Sequence, residues 1–90
     1  MAEIRVATIQ NELGLHARAA AQFVQTANKF RAAVTVEKDG EEVNGKSILS
    51  LMMLAAPIGS EITIKAEGDD ALELLDRLST LIDNKFGEAK

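Results

Sequence analysis

Val34-Thr35-Val36-Glu37-Lys38-Asp39-Gly40-Glu41-Glu42-Val43-Asn44-Gly45-Lys46-Ser47 can be read as part of either of two folds. From Gly40 to Ser47 it matches the phosphate-binding-loop pattern G-x-x-x-x-G-K-S at every fixed position, between a strand and a helix. That reading needs a parallel sheet and a nucleotide. In the other reading, Val34 and Val36 alternate with Thr35 and Glu37 in a strand, Asp39-Gly40 makes a tight hairpin turn, and Glu42 to Asn44 returns as a second strand. Three physical points favour the hairpin. Glu41 and Glu42 would turn negative charge into a triphosphate site, and Asp-Gly is better used as a turn. The chain beyond Ser47 also has room for only one more strand and helix, too little for a parallel sheet with a metal-binding acid.

The rest of the chain follows from that choice. Met1 to Ile9 alternates as a strand, with Ile4, Val6 and Thr8 on one face and Arg5 and Ala7 on the other. Gln10 to Gly14 carries turn chemistry. From Ala17 to Phe30 the period is helical, with Ala20, Phe23, Val24 and Ala27 on one stripe and Asn28 as terminator. Ser47 reads as the N-cap of a short helix from Ile48 to Leu54, which Pro57 and Gly59 follow. Ile62, Ile64 and Ala66 mark a fourth strand. Ala71, Leu74, Leu75, Leu78, Leu81 and Ile82 mark an amphipathic last helix, with Asp69 and Asp70 at its start and Gly87 as its C-terminal cap.

The order is β-α-β-β-α-β-α in one domain, residues 1–90. The outward strand residues Arg5, Thr35, Glu37, Thr63 and Lys65 are polar, so one sheet face is wet and the other covered. The fold class is α+β: an open-faced β-sandwich with a four-stranded antiparallel sheet and three helices on one face.

Composition narrows the function. The net charge is −4 and aromatic residues are 3% of the chain, which argues against a phosphate-backbone binder or a base-stacking platform. Cysteine is absent and His16 is the one histidine, so a metal site is not expected, nor is a cofactor. No stretch approaches ~18 consecutive apolar residues and no leader opens the chain, so we expect no membrane insertion and a cytoplasmic, monomeric protein.

His16 follows Gly14-Leu15 and falls at the first turn of a helix. The free N–H groups of Ala17 and Arg18 surround it there, and the helix dipole disfavours the protonated ring, which favours a neutral nucleophile. Once the ring carries a phosphoryl group, those N–H groups and the Arg18 guanidinium can hold its oxygens. In the short helix Ile48-Leu49-Ser50-Leu51-Met52-Met53-Leu54, an inward Leu51 and Leu54 leave Ile48 and Met52 outward with Leu49 at the margin. This apolar patch suits protein docking.

Gly14-Leu15-His16-Ala17-Arg18, followed by Asn44-Gly45-Lys46-Ser47-Ile48, resembles the histidine-containing phosphocarrier (HPr) family of the bacterial phosphoenolpyruvate-dependent sugar phosphotransferase system. The order of elements and the ending Asp83-Asn84-Lys85-Phe86-Gly87-Glu88 agree. The resemblance implies a carrier rather than a free-standing enzyme. Enzyme I would pass a phosphoryl group to Nδ1 of His16, and His16 would pass it to an enzyme IIA. Arg18 matches the phosphoryl-binding arginine, Ile48, Leu49 and Met52 the docking patch, and Ser47 the serine that HPr kinase/phosphorylase modifies. A paralogous regulatory module, nitrogen-type or in catabolite control, shares these marks. The family usually reads His-Ala-Arg-Pro-Ala; here Ala19 replaces the proline, which leaves the start of the helix less pre-set.

Overall fold

A computed structural model describes residues 2–90. The elements in chain order are β1 (Ala2–Thr8), α1 (Ala17–Ala27), β2 (Ala33–Lys38), β3 (Glu41–Asn44), α2 (Ile48–Met53), β4 (Glu61–Glu67) and α3 (Ala71–Asp83), then a 3₁₀ turn at Lys85–Gly87. The four strands form one antiparallel sheet in the order β1-β4-β2-β3. α3 packs on β1 and β4, and α1 packs on α2 and α3. All three helices therefore share one face, and the open-faced sandwich is confirmed.

The hairpin reading holds. Glu37 pairs with Glu42 and Lys38 with Glu41 around Asp39-Gly40, where both turn residues have positive φ as a tight turn requires. A phosphate loop needs free amides and a free lysine. Here the Gly45 N–H donates to the Val34 carbonyl at 2.8 Å and Lys46 Nζ to the Phe30 carbonyl at 2.9 Å.

The core is aliphatic with buried phenylalanines. Val34, Val36, Ile62, Ile64 and Ala66 of the sheet meet Ala20, Phe23, Val24 and Ala27 of α1 and Leu74, Leu75, Leu78 and Ile82 of α3. Such close-packed apolar contact is the main favourable term in folding.

β1 corrects the expected facing. Ile4 and Val6 lie on the open face, 64% and 57% exposed, while Arg5 and Ala7 face the helices. The register causes this: Arg5 pairs with Ile64 and Ala7 with Ile62, both inward positions. Alternation shows which residues share a face but not which face is covered. β1 is an edge strand under the polar flank of α3. There the Arg5 stem lies along the core margin while its Nη1 reaches Asp76 Oδ1 at 2.8 Å and Ser79 Oγ at 3.3 Å.

Asn28 caps α1 as expected, with the helix stopping at Ala27, while α2 stops one residue short of expectation at Met53 with Leu54 as its cap. Asp70 stands at the N-cap of α3 but makes no capping bond there. Its carboxylate instead accepts the N–H groups of Arg31 and Ala32, both at 2.9 Å, and ties the α1–β2 connection to α3. Gly87 is not the cap of α3, which ends at Asp83 with Asn84 as its cap. It closes a run of three positive-φ residues, Lys85 (59°), Phe86 (55°) and Gly87 (78°). Burial of the Phe86 ring, 1% exposed, holds this uncommon backbone in place and turns the tail back toward the start of α1.

Candidate functional site

The stretch from Asn11 to Ala17 builds the site. The Gly14 N–H donates to the Asn11 carbonyl at 3.1 Å, and Gly14 takes φ +69°, a left-handed conformation that glycine adopts without steric cost. Leu15 is buried and its N–H donates to the Ala56 carbonyl at 2.9 Å, which docks the turn on the segment after α2. His16 then caps α1 with extended backbone (φ −77°, ψ −176°). The first helical hydrogen bond runs from the Ala20 N–H to the His16 carbonyl at 2.8 Å.

Both ring nitrogens of His16 are engaged. Nδ1 accepts the Arg18 N–H at 3.2 Å, and Nε2 lies 2.5 Å from Glu88 Oε2. An ionised carboxylate can only accept, so Nε2 carries the proton and Nδ1 carries the lone pair. The arrangement presents one nucleophilic nitrogen at a helix N-terminus, with the second nitrogen anchored by an acid. The His16 side chain keeps 27% of its surface exposed, which leaves the ring reachable.

Glu88 is held in turn by Asn11. Asn11 Nδ2 donates to Glu88 Oε1 at 3.0 Å and to the Gly14 carbonyl at 2.7 Å. Burial pushes the Glu88 carboxyl up, but the hydrogen bonds from His16 and Asn11 and the nearby Arg18 charge outweigh it. The carboxyl therefore sits below its usual value of 4.5.

Two hollows flank the ring. One, of about 660 Å³, is lined by Glu12, Leu13, His16, Ala17, Arg18, Glu88 and Lys90 among others, and the Glu12 N–H donates to the Lys90 carbonyl at 2.9 Å across it. The other, of about 280 Å³, is lined by Leu13, Leu15, His16, Met52 and Pro57 among others. Leu13 and Met52 of the second hollow are 69% and 40% exposed, and on α2 Leu49 and Met53 are each 69% exposed, with Ile48 at 41%. Leu51 and Leu54 are buried as expected. Leu49 is thus not marginal: with Met53 it is the most exposed part of α2.

Of the residues singled out in the sequence, His16, Ala17 and Arg18 come together at one hollow and Met52 at the other. Ser47 stands apart. It caps α2, its Oγ accepting the Ser50 N–H at 3.2 Å, and it lines neither hollow. Ala19 is fully buried, and it lies one residue before the first N–H that makes a helical bond. Sequence reasoning assigned no role to Asn11, Leu13 or Glu88. Only the position of Glu88 in the matching tail hinted at it.

Comparison with known proteins assigns the family and the fold. A family model described as "PTS HPr component phosphorylation site" matches residues 4–84. The phosphocarrier protein HPr of Cupriavidus necator is 48% identical over 96% of this chain and 97% of its own. The HPr-like protein Crh of Bacillus subtilis is also 48% identical, over 89% of this chain and 88% of its own. A crystal structure of HPr from Thermoanaerobacter tengcongensis superimposes with a TM-score of 0.93 at 46% identity, covering 98% of this chain and 99% of that one. With the family model spanning residues 4–84 and relatives nearly half identical over almost the full length, the chain belongs to the HPr family of the phosphotransferase system, whose members carry phosphoryl groups and are not enzymes.

Proposed function

We propose that this chain accepts a phosphoryl group from enzyme I on Nδ1 of His16 and passes it to an enzyme IIA, in the cytoplasm and as a monomer. The observation that carries the reading is the split use of the ring, with Glu88 at Nε2 and a lone pair at Nδ1 beside the Arg18 N–H. In the transfer step the Nδ1 lone pair attacks phosphorus, and the bond from phosphorus to the donor atom breaks with its electrons going to the donor. No proton has to move: Nε2 keeps its hydrogen, and the positive charge gained by the ring faces the Glu88 carboxylate. The Arg18 N–H, released from Nδ1, is then free for a phosphoryl oxygen, and the exposed Arg18 guanidinium lines the same hollow. Onward transfer reverses these steps. Leu13 and Met52 beside the ring, with exposed Ile48, Leu49 and Met53 of α2, supply an apolar surface on which donor and acceptor proteins can dock. Ser47, half-buried at the cap of α2, is the proposed regulatory phosphorylation site for an HPr kinase/phosphorylase.

Incubation with enzyme I and phosphoenolpyruvate, read by intact mass, tests this. One acid-labile phosphoryl group, absent in His16→Ala, is the expected result. No transfer from a competent enzyme I would refute it. The similarity to Crh supports a second reading, a regulatory module acting mainly by protein binding through Ser47 and α2. Such a module has no need of His16, so His16→Ala would leave its partner binding unchanged.

A further inference from the structure

Among the described residues, Asn11 alone of the polar and charged residues is fully buried. Its Oδ1 has no hydrogen-bond partner. A buried carbonyl left unpaired is costly, and an apolar residue of similar size would avoid that cost. The side chain therefore owes its place to its amino end. Nδ2 donates to the Gly14 carbonyl and to Glu88 Oε1, while the other oxygen of the same carboxylate faces His16 Nε2. A flipped amide would set Oδ1 against two acceptors, so only one orientation fits.

We propose that Asn11 is a positioning residue for phosphoryl transfer at His16: its amide clamps the Glu88 carboxylate onto Nε2 and so keeps Nδ1 as the nitrogen with the lone pair. The proposal rests on His16 being the acceptor. Arg18 of α1 and Lys90 of the tail line the same hollow as Glu88, with Glu12 of the turn as a second acid. Released from Asn11, the Glu88 carboxylate would turn to these cations. His16 would then lose its anchor, and Arg18 would be drawn away from the incoming phosphoryl group.

The test is ¹⁵N NMR of the imidazole nitrogens at a pH where the ring is neutral, together with the rate of transfer from phosphorylated enzyme I. In the unmutated protein the Nε2–H tautomer should dominate. In Asn11→Ala and Asn11→Asp the balance should move toward Nδ1–H, and the transfer rate should fall about tenfold, a change of ~1.4 kcal/mol in barrier. Asn11→Ala combined with Glu88→Gln should lose no more than the worse single variant, because both break one clamp. Unchanged tautomers in folded Asn11 variants, or multiplying losses in the double variant, overturn the proposal.

If neither Asn11 variant folds, the unmutated protein decides. The Asn11 amide protons and the Glu88 carboxyl carbon should share one titration midpoint, and the amide response should vanish in Glu88→Gln. Separate midpoints overturn the clamp. Absence of any transfer to the unmutated protein would instead overturn the carrier reading, and the tautomer balance would still decide on Asn11.

Discussion

A Cβ on Gly14 would lie 2.4 Å from the carbonyl oxygen of Ala56 and 2.9 Å from Cα of Pro57. Both neighbours are backbone, so relief requires the whole segment after α2 to move. Gly14→Ala also places a side chain at φ +69°. We expect a loss of about 2–4 kcal/mol, of the order seen for strain plus overpacking. Thermal denaturation would show a fall of about 10 °C or more for a domain of this size. A Tm near that of the unmutated protein would show that the segment yields easily.

Arg18 is exposed and has no place in the core. Arg18→Ala should therefore leave stability within about 0.5 kcal/mol. It should nevertheless slow phosphoryl transfer at least tenfold, because a charge-assisted hydrogen bond is worth roughly 1.5–3 kcal/mol. A lost thermal transition would instead make Arg18 structural.

Ala19→Pro restores the residue usual in the family. Ala19 precedes the first N–H that bonds within α1, so proline removes no helical hydrogen bond. By limiting the unfolded chain it should raise stability by about 0.4–1 kcal/mol. A lower Tm would show that the buried site of Ala19 is too tight for the ring.

Asp70 supplies a pH dependence. The Arg31 N–H is the largest influence on its carboxyl, and with the Ala32 N–H and nearby Lys46 it holds the group below its usual value of 3.8 despite the opposing effect of desolvation. A carboxyl depressed by folding stabilises the protein above its unfolded value, and that contribution fades as pH falls through the folded one. Asp70→Asn should melt at lower temperature than the parent at pH 7, with the gap closing below pH 3.8. An equal gap at pH 7 and pH 2 would show that charge has no part in it.

Ser47→Asp should keep the fold, since aspartate caps a helix about as well as serine. The added charge next to exposed Ile48 and Leu49 should weaken binding of enzyme I. Titration calorimetry would then give a higher Kd at an unchanged Tm. Equal affinity would remove the electrostatic account.

The elements were readable because their signals are local. Asp39-Gly40 specifies its own turn, and the leucine stripe of α3 specifies its own buried face. The facing of β1 was not readable, because what decides it is the register against β4, where Arg5 pairs with Ile64 far along the chain. The site divides along the same line. His16, Ala17 and Arg18 form one short motif, whereas Glu88 reaches His16 only through the turn at Lys85 to Gly87. The extent of the α2 patch was also underestimated. Six residues make too few turns for a pattern to separate one outward side, and Leu49 and Met53 both emerged fully on the surface.

The 72 positions between His16 and Glu88 bear on the life of the chain as it is made. During synthesis the His16 ring emerges with its cap and its glycine turn, but without the acid that holds its Nε2. That acid arrives among the last residues shown, after every strand and helix has emerged. A chain cut short before Glu88 would still display the histidine motif but would lack the anchor at Nε2. If His16 is the acceptor, fast transfer to it would therefore require a chain folded through Glu88.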